Sequence, residues 1–176
     1  MAKVIRKGLR KGVRIIDHGW DRIMRFFWKY QSGIGAQVGI QGVEAMANRE
    51  GISNAELAAV HEYGTKDGRI PERSFLRSTF DEELPYYKRT VDRMGEEMPK
   101  AMKKGILEAA FVEGELMLIG EEFRKDILDN INRGIYPYLK PVTIKRKDGE
   151  TTPLINSGQL RSAISTAIVK KWRATS

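Results

Sequence analysis

Few side chains in this sequence have the types and spacing that catalysis requires. There are two histidines, His18 and His61, and no cysteine. His61 stands beside Glu62 near a predicted helix end, which is the pairing of a base with an acidic neighbour. Adjacent residues on a helix do not face each other, and no nucleophile with an orienting partner is near in the sequence. Because a histidine in the last turn also complements the helix dipole, the pattern favours a capping or packing role.

A second candidate site is an acidic group at Glu121, Glu122, Asp126 and Asp129. The last three follow each other at steps of four and three, so on a helix they share one face and could hold a divalent metal ion. Three cations accompany them: Arg124, Lys125 and Arg133. A face of mixed charge away from the apolar stripe is typical of solvated surface. With no metal-ligand spacing and no phosphate-binding loop, we predict no cofactor, no metal and no enzymatic activity.

The net charge of +8 belongs to one end of the chain. Residues 1–30 carry nine basic and two acidic side chains, so the remainder is nearly neutral. Six of these cations are candidates for contact with DNA or a protein partner: Lys3, Arg6, Lys7, Arg10, Lys11 and Arg14. Such a density of cations binds phosphates in a salt-sensitive way. A disordered arm, an acidic protein neighbour and a membrane surface remain alternatives.

Apolar periodicity predicts the elements of the first half. Residues 1–32 form a basic amphipathic helical arm, and residues 33–176 form the folded domain. Residues 36–42 alternate weakly, as a short strand does. Ser53 and Glu56 have the spacing of a capping box, which predicts a helix that ends at Gly64.

The second half is predicted to be mostly helical. A helix starts near Ser74 and either kinks or restarts at Pro85, and a long third helix starts at Pro99 and ends before Gly134. Residues 136–155 are predicted to form an irregular loop or hairpin. Asn156 or Ser157 caps a short helix, and a strand closes the chain. Two strands that flank helices indicate an α+β fold with a small antiparallel sheet.

Two segments resemble a known family. Residues 56–82 contain H-E-Y-G-T followed by I-P-x-R-x-F-L-R, carried by His61, Glu62, Tyr63, Gly64, Thr65, Ile70, Pro71, Arg73, Phe75, Leu76 and Arg77. Residues 139–165 contain L-K-P-x-T-I followed by P-L-I-N-S-G-x-L-R, with Lys140, Pro141, Thr143, Ile144, Pro153, Leu154, Ile155, Ser157, Gly158, Leu160, Arg161 and Ile164. We call these segments the first and second motif blocks. Together they resemble the tail-completion or neck protein family of long-tailed phages, which includes relatives of lambda minor tail protein Z.

The resemblance implies a non-catalytic ring subunit whose sheet packs on one long helix. It implies head-completion, tail-terminator and tail-tube proteins as partners, self-association in a ring of about six copies, and a place in the virion after assembly in the host cytoplasm. Its motif residues would form the protein interface. Asn156 departs from the commoner Asp, and the arm is more basic than the family suggests. The alternative is a nucleic-acid-binding protein that acts through residues 1–32.

Overall fold

The computed structural model describes residues 33–49, 51–106, 108–147, 151–154 and 158–170. The predicted arm of residues 1–32 and the predicted cap at Asn156 or Ser157 lie outside the described residues. The elements, in order, are β1 (Ile34–Ile40), α1 (Gly42–Met46), β2 (Asn48–Arg49), β3 (Ile52–Ser53), α2 (Asn54–Tyr63), α3 (Arg77–Lys103), α4 (Glu108–Arg133), α5 (Pro141–Arg146), α6 (Gln159–Ser162) and β4 (Ile164–Lys170). No helix in the described ranges is long and apolar enough to span a membrane.

Strands β1 and β4 form an antiparallel pair that packs on α4. The register places Ile34 opposite Lys170 and Ile40 opposite Ile164. The close approach of helix and sheet depends on Gly120 of α4, where a Cβ atom would lie 2.5 Å from Cγ2 of Thr166 and 3.1 Å from Cβ of Ala36. The predicted α+β fold, with a small antiparallel sheet on long helices, is confirmed.

The apolar core lies between α4, the sheet and the loop that precedes α3. Phe75, Ile127 and Ile131 are fully buried, and Leu160 and Ile164 pack against them at 5% and 3% exposure. Burial of a side chain of this size stabilises a fold by about 1.5–3 kcal/mol. Both motif blocks therefore contribute to one core, through Phe75 from the first and Leu160 and Ile164 from the second.

Helix α3 differs from its prediction at both prolines. It runs without interruption from Arg77 to Lys103, through Pro85 and Pro99, so a restart at Pro85 and a helix start at Pro99 were wrong. The break falls instead after Lys103, where Gly105 has a φ of +85° that suits glycine. Helix α4 then begins at Glu108 and ends before Gly134, as predicted.

Aromatic packing between α3 and α4 spans the position of Pro85. The ring of Phe123 on α4 lies edge-on to Phe80 and Tyr87 of α3, with centroids 5.7 and 5.5 Å apart. The Tyr87 hydroxyl donates to Asp126 at 2.7 Å. Such tertiary contacts outweigh the roughly 3 kcal/mol that a proline costs inside a helix, which explains why α3 does not restart at Pro85.

Several short elements were not predicted. Helix α1 and the two-residue strands β2 and β3 have no counterpart in the prediction. Helix α5 begins at Pro141, inside the segment predicted to be an irregular loop or hairpin. Pro141 suits this place because a first-turn residue has no helical acceptor for its N–H. Strands β1 and β4 are confirmed within two residues, as is the capping box of Ser53 and Glu56.

Candidate functional site

The end of α2 is joined to the start of α3 by the side chain of Glu62. Its carboxylate accepts hydrogen bonds from the backbone N–H groups of Phe75 at 2.9 Å, Leu76 at 3.0 Å and Arg77 at 3.0 Å, and from the Ser74 hydroxyl at 2.6 Å. These N–H groups lie at a helix start, where no acceptor within the helix exists. Glu62 therefore caps α3 from another helix, and its negative charge complements the dipole.

The environment of Glu62 keeps it ionised. Burial of the carboxylate raises its pKa, but the four hydrogen bonds together outweigh burial, and the pKa of Glu62 lies below its ordinary value. With only 4% of the residue exposed, Glu62 has no open face for a substrate. The acid of the His61–Glu62 pair is therefore occupied in holding the fold.

The turn after α2 requires glycine at position 64. Gly64 has a φ of +71°, and a Cβ atom there would lie 2.8 Å from the backbone N of Glu72. Thr65 fixes the returning chain, since its N–H donates to the Ile70 carbonyl at 2.9 Å and its hydroxyl accepts from the Ile70 N–H at 3.0 Å. The G-T dipeptide of the first motif block thus sets the path of residues 65–72.

Arg73 connects the two halves of the molecule. Its backbone N–H donates to the His61 carbonyl at 2.8 Å, and its Nε donates to the Pro137 carbonyl at 2.7 Å. The residue is 6% exposed, and burial lowers the pKa of its guanidinium from the ordinary value. A charged group so buried must be hydrogen-bonded to be tolerated, so Arg73 fixes the segment that precedes the second motif block.

A cleft of about 640 Å³ lies where the two motif blocks meet. Its apolar wall includes Leu57, Ile70, Leu139, Leu154 and Leu160. Its charged lining is cationic: Arg69, Arg73, Lys140 and Lys147. No Asp or Glu occurs among the described residues that line it. A cleft with apolar walls and only positively charged side chains suits an occupant that is partly apolar and negatively charged.

His61 lies in this cleft as a neutral side chain. Burial is the main cause that lowers the pKa of His61 to about 4, and the charges of Arg73 and Lys147 add to it. Its Nδ1 atom is buried and has no hydrogen-bond partner in the part of the chain that the structure describes. The predicted capping or packing role does not account for that unpartnered atom.

The motif residues divide into buried and exposed sets. Glu62 and Phe75 are at most 4% exposed and shape the surface from within. Arg73 and Leu160 are 6% and 5% exposed, and both line the cleft. Gly64, Thr65, Pro71, Leu76, Gly158 and Arg161 are half-buried. Tyr63, Arg77, Lys140 and Pro141 are exposed. The Arg77 guanidinium lies 5.4 Å from the Tyr63 ring centroid, as in a cation–π contact.

The acidic residues of α4 pair with neighbours and do not converge. Glu121 binds Arg124 at 2.8 Å and Asp129 binds Lys125 at 3.0 Å. Glu122 and Asp126 instead accept from Tyr86 and Tyr87 of α3. No cluster of three or more metal-binding side chains occurs within the described ranges. Part of this face therefore serves helix packing, where a fully solvated face was predicted.

Sequence reasoning missed the parts of the cleft outside the motifs. Pro137 supplies the carbonyl that holds Arg73, and Tyr138 and Lys147 complete the lining. The cluster of prolines in residues 136–155 marked this stretch as irregular but gave no sign of what it would contact. Comparison of the chain with protein-family models, with curated proteins and with solved structures found no match.

Proposed function

We propose that this chain is a structural protein of the neck of a long-tailed phage, a tail-completion subunit that joins the tail to the head. The support is that the two segments resembling that family fold onto each other. Arg73 of the first block binds the carbonyl of Pro137, just before the second block, and both blocks line one cleft. Segments that lie 64 residues apart in sequence at this contact thus build a single surface.

In this role the chain is a non-catalytic ring subunit of the virion, assembled in the host cytoplasm. A closed ring of about six copies uses heterologous contacts, in which one patch meets a different patch of the next copy. Its further partners are head-completion, tail-terminator and tail-tube proteins. The exposed motif residues Tyr63, Lys140 and Pro141 are the candidates for these contacts.

Genetic complementation tests the proposal. The gene is deleted from the genome that encodes it, and variants are supplied from a plasmid while electron microscopy counts joined particles. Without the protein we expect separate heads and tails. Tyr63→Ser should restore few joined particles, whereas the control Val91→Ser, an exposed apolar residue on α3, should restore them fully. Normal infectious particles in the deletion strain would refute the proposal.

The concentrated charge of residues 1–30 supports a second candidate function, nucleic-acid binding. If that charge binds DNA, the logarithm of the affinity should fall linearly with the logarithm of salt concentration. Replacement by glutamine of all six cations between Lys3 and Arg14 in the full chain should flatten that slope. A slope of zero in the unaltered chain would remove this candidate.

A further inference from the structure

We infer that the cleft between the motif blocks is a docking groove for an extended acidic segment of a neighbouring protein. The cleft is defined by its cations Arg69, Arg73, Lys140 and Lys147, by His61, and by its leucine and isoleucine wall. The inference rests on the proposed function only in taking the neighbour to be another neck protein. The site itself is assigned from its charge, its shape and one unpartnered atom.

The positive side chains that line the cleft favour an occupant with negative charge. Four cations and no described Asp or Glu line a volume of about 640 Å³. Arg69 is paired with Asp67 at 3.0 Å, but on the outer side, where the Arg69 side chain is 86% exposed. Complementary potential across an interface steers association and selects partners. Carboxylates of the occupant would meet Lys140 at the rim and Arg73 within.

The size and enclosure of the cleft favour a peptide over a nucleic acid as its occupant. The volume lies within the range of roughly 300–1,000 Å³ that small-molecule pockets occupy, which is room for a few side chains of a peptide. Arg73 is the most buried of the four cleft cations, at 6% exposed. A rigid duplex cannot bring its backbone phosphates to a cation so enclosed, whereas a side chain of an extended peptide can. The apolar wall gives leucine-like side chains a surface to pack on, which a sugar-phosphate backbone would leave uncovered.

The unpartnered Nδ1 atom of His61 favours an occupant whose peptide backbone is free to form a hydrogen bond. A buried polar nitrogen without a hydrogen-bond partner is costly, and the Nδ1 atom of His61 has no partner in the described part of the chain. A nitrogen of a neutral imidazole is either a donor or an acceptor. The backbone of an extended segment supplies a carbonyl at every residue and an N–H at every residue except proline. One such hydrogen bond, formed when the imidazole turns Nδ1 towards the cleft, would fix the register of the segment.

Fluorescence anisotropy of labelled probes on the full chain tests the inference. The probes are a short peptide of alternating glutamate and leucine, a matched peptide of alternating lysine and leucine, one of alternating glutamate and serine, and oligodeoxythymidylate. The glutamate–leucine peptide should bind, the lysine–leucine peptide should not, and the glutamate–serine peptide should bind several-fold more weakly. Equal binding of the first two would overturn the inference.

A matched pair of charge reversals locates the binding. Lys140→Glu changes an exposed residue at the cleft, and Lys145→Glu makes the same change in net charge on α5, outside the lining residues. We expect Lys140→Glu to weaken glutamate–leucine binding about tenfold and Lys145→Glu by less than about twofold. Equal effects would mean that the overall positive charge of the chain, and not the cleft, attracts the peptide, which would overturn the inference.

Two further readouts separate the alternatives. If Lys140→Glu removes oligodeoxythymidylate binding and leaves peptide binding unchanged, the cleft takes nucleic acid and the inference is wrong. Peptide binding in solution does not depend on virion assembly. Normal particles in the absence of the gene would therefore refute the proposed function but not the measured peptide binding. Absence of peptide binding would refute the inference but not the proposed role in the neck.

Discussion

The Glu62 carboxylate accepts the hydrogen bonds of backbone N–H groups at the start of α3, a helix of 27 residues, where the helix itself supplies no carbonyl acceptor. Three backbone N–H groups and one hydroxyl converge on it, all within 3.0 Å. Hydrogen bonds to a charged group are each worth about 1.5–3 kcal/mol. The two residues whose pairing first suggested acid–base chemistry therefore have separate roles: Glu62 stabilises the fold, and His61 lines the cleft.

Glu62→Gln should destabilise the fold by roughly 2–4 kcal/mol. The amide NH₂ would face backbone donors that now point at a carboxylate oxygen, leaving buried N–H groups without acceptors. Urea unfolding followed by circular dichroism measures the change. Glu82→Gln, on the exposed side of α3, is the control and should differ from the unaltered chain by less than about 0.5 kcal/mol. Equal stability of the two variants would contradict the capping role.

His61 should make stability depend on pH between its ordinary pKa and its lowered one. Between pH 6.5 and about 4 the unfolded chain binds a proton that the folded His61 does not, so stability falls as pH falls through this window and levels off below it. The loss should be roughly 1–2 kcal/mol. Urea unfolding at pH 7 and pH 5 should show a smaller difference for His61→Gln. Equal differences in both proteins would show that His61 titrates normally.

Residue roles were predictable where the partners are close in sequence. Ser53 and Glu56, three residues apart, gave the capping box that the structure contains. The partners of Glu62 lie 12 to 15 residues further on, beyond any local pattern, so its role needed the structure. Gly64 was predicted as a helix end, but its close approach to Glu72 was not.

At the scale of elements, tertiary contact decided where the helices begin and end. Pro85 and Pro99 are strong local signals, yet α3 continues through both. At Pro85 the reason is that Phe80 and Tyr87, on either side of it, pack against Phe123 of α4. The end of α3 at Lys103 is followed by Gly105 in a left-handed conformation. The sequence predicted the existence of the long helices, and packing set the break between them.

The glycines inside α4 should respond to alanine with opposite signs. Gly114 is exposed and has no neighbour within 4 Å of an added Cβ, so Gly114→Ala should stabilise the helix by about 0.5–1 kcal/mol. Gly120→Ala would push against Thr166 and Ala36 of the sheet and should cost about 1–3 kcal/mol. Thermal unfolding of both variants checks the comparison. A stabilised Gly120→Ala would mean that α4 and the sheet separate readily.

For the whole molecule, exposed apolar side chains indicate where a ring contact could form. Val43 and Met46 of α1 are 83% and 79% exposed, and Tyr136 and Tyr138 near the cleft are 78% and 68% exposed. Side chains of this kind mark interaction surfaces when they group together. Two such patches at different places in the fold are what a heterologous contact requires.

Replacing both Val43 and Met46 with Asp should prevent assembly without unfolding the chain. Because both side chains are exposed, the free energy of unfolding should change by less than about 0.5 kcal/mol, while joined particles in the complementation assay should fall sharply. Glu44→Lys on the same helix is the control for a change of charge alone. Full assembly of the double variant would exclude α1 from the ring contact.

The pairing of β1 with β4 also brings together the two places where the chain enters and leaves the described domain. Ile34 lies opposite Lys170, and paired residues of antiparallel strands have Cα atoms about 4.5–5.5 Å apart. Of the strand pairings within the described residues, this one joins the most distant parts of the sequence, so its loop-closure entropy opposes folding most. A short peptide tether between residues 33 and 170, with new ends opened in the exposed turn at residues 66–69, would make it the most local contact, and such a circular permutant should fold faster than the natural chain.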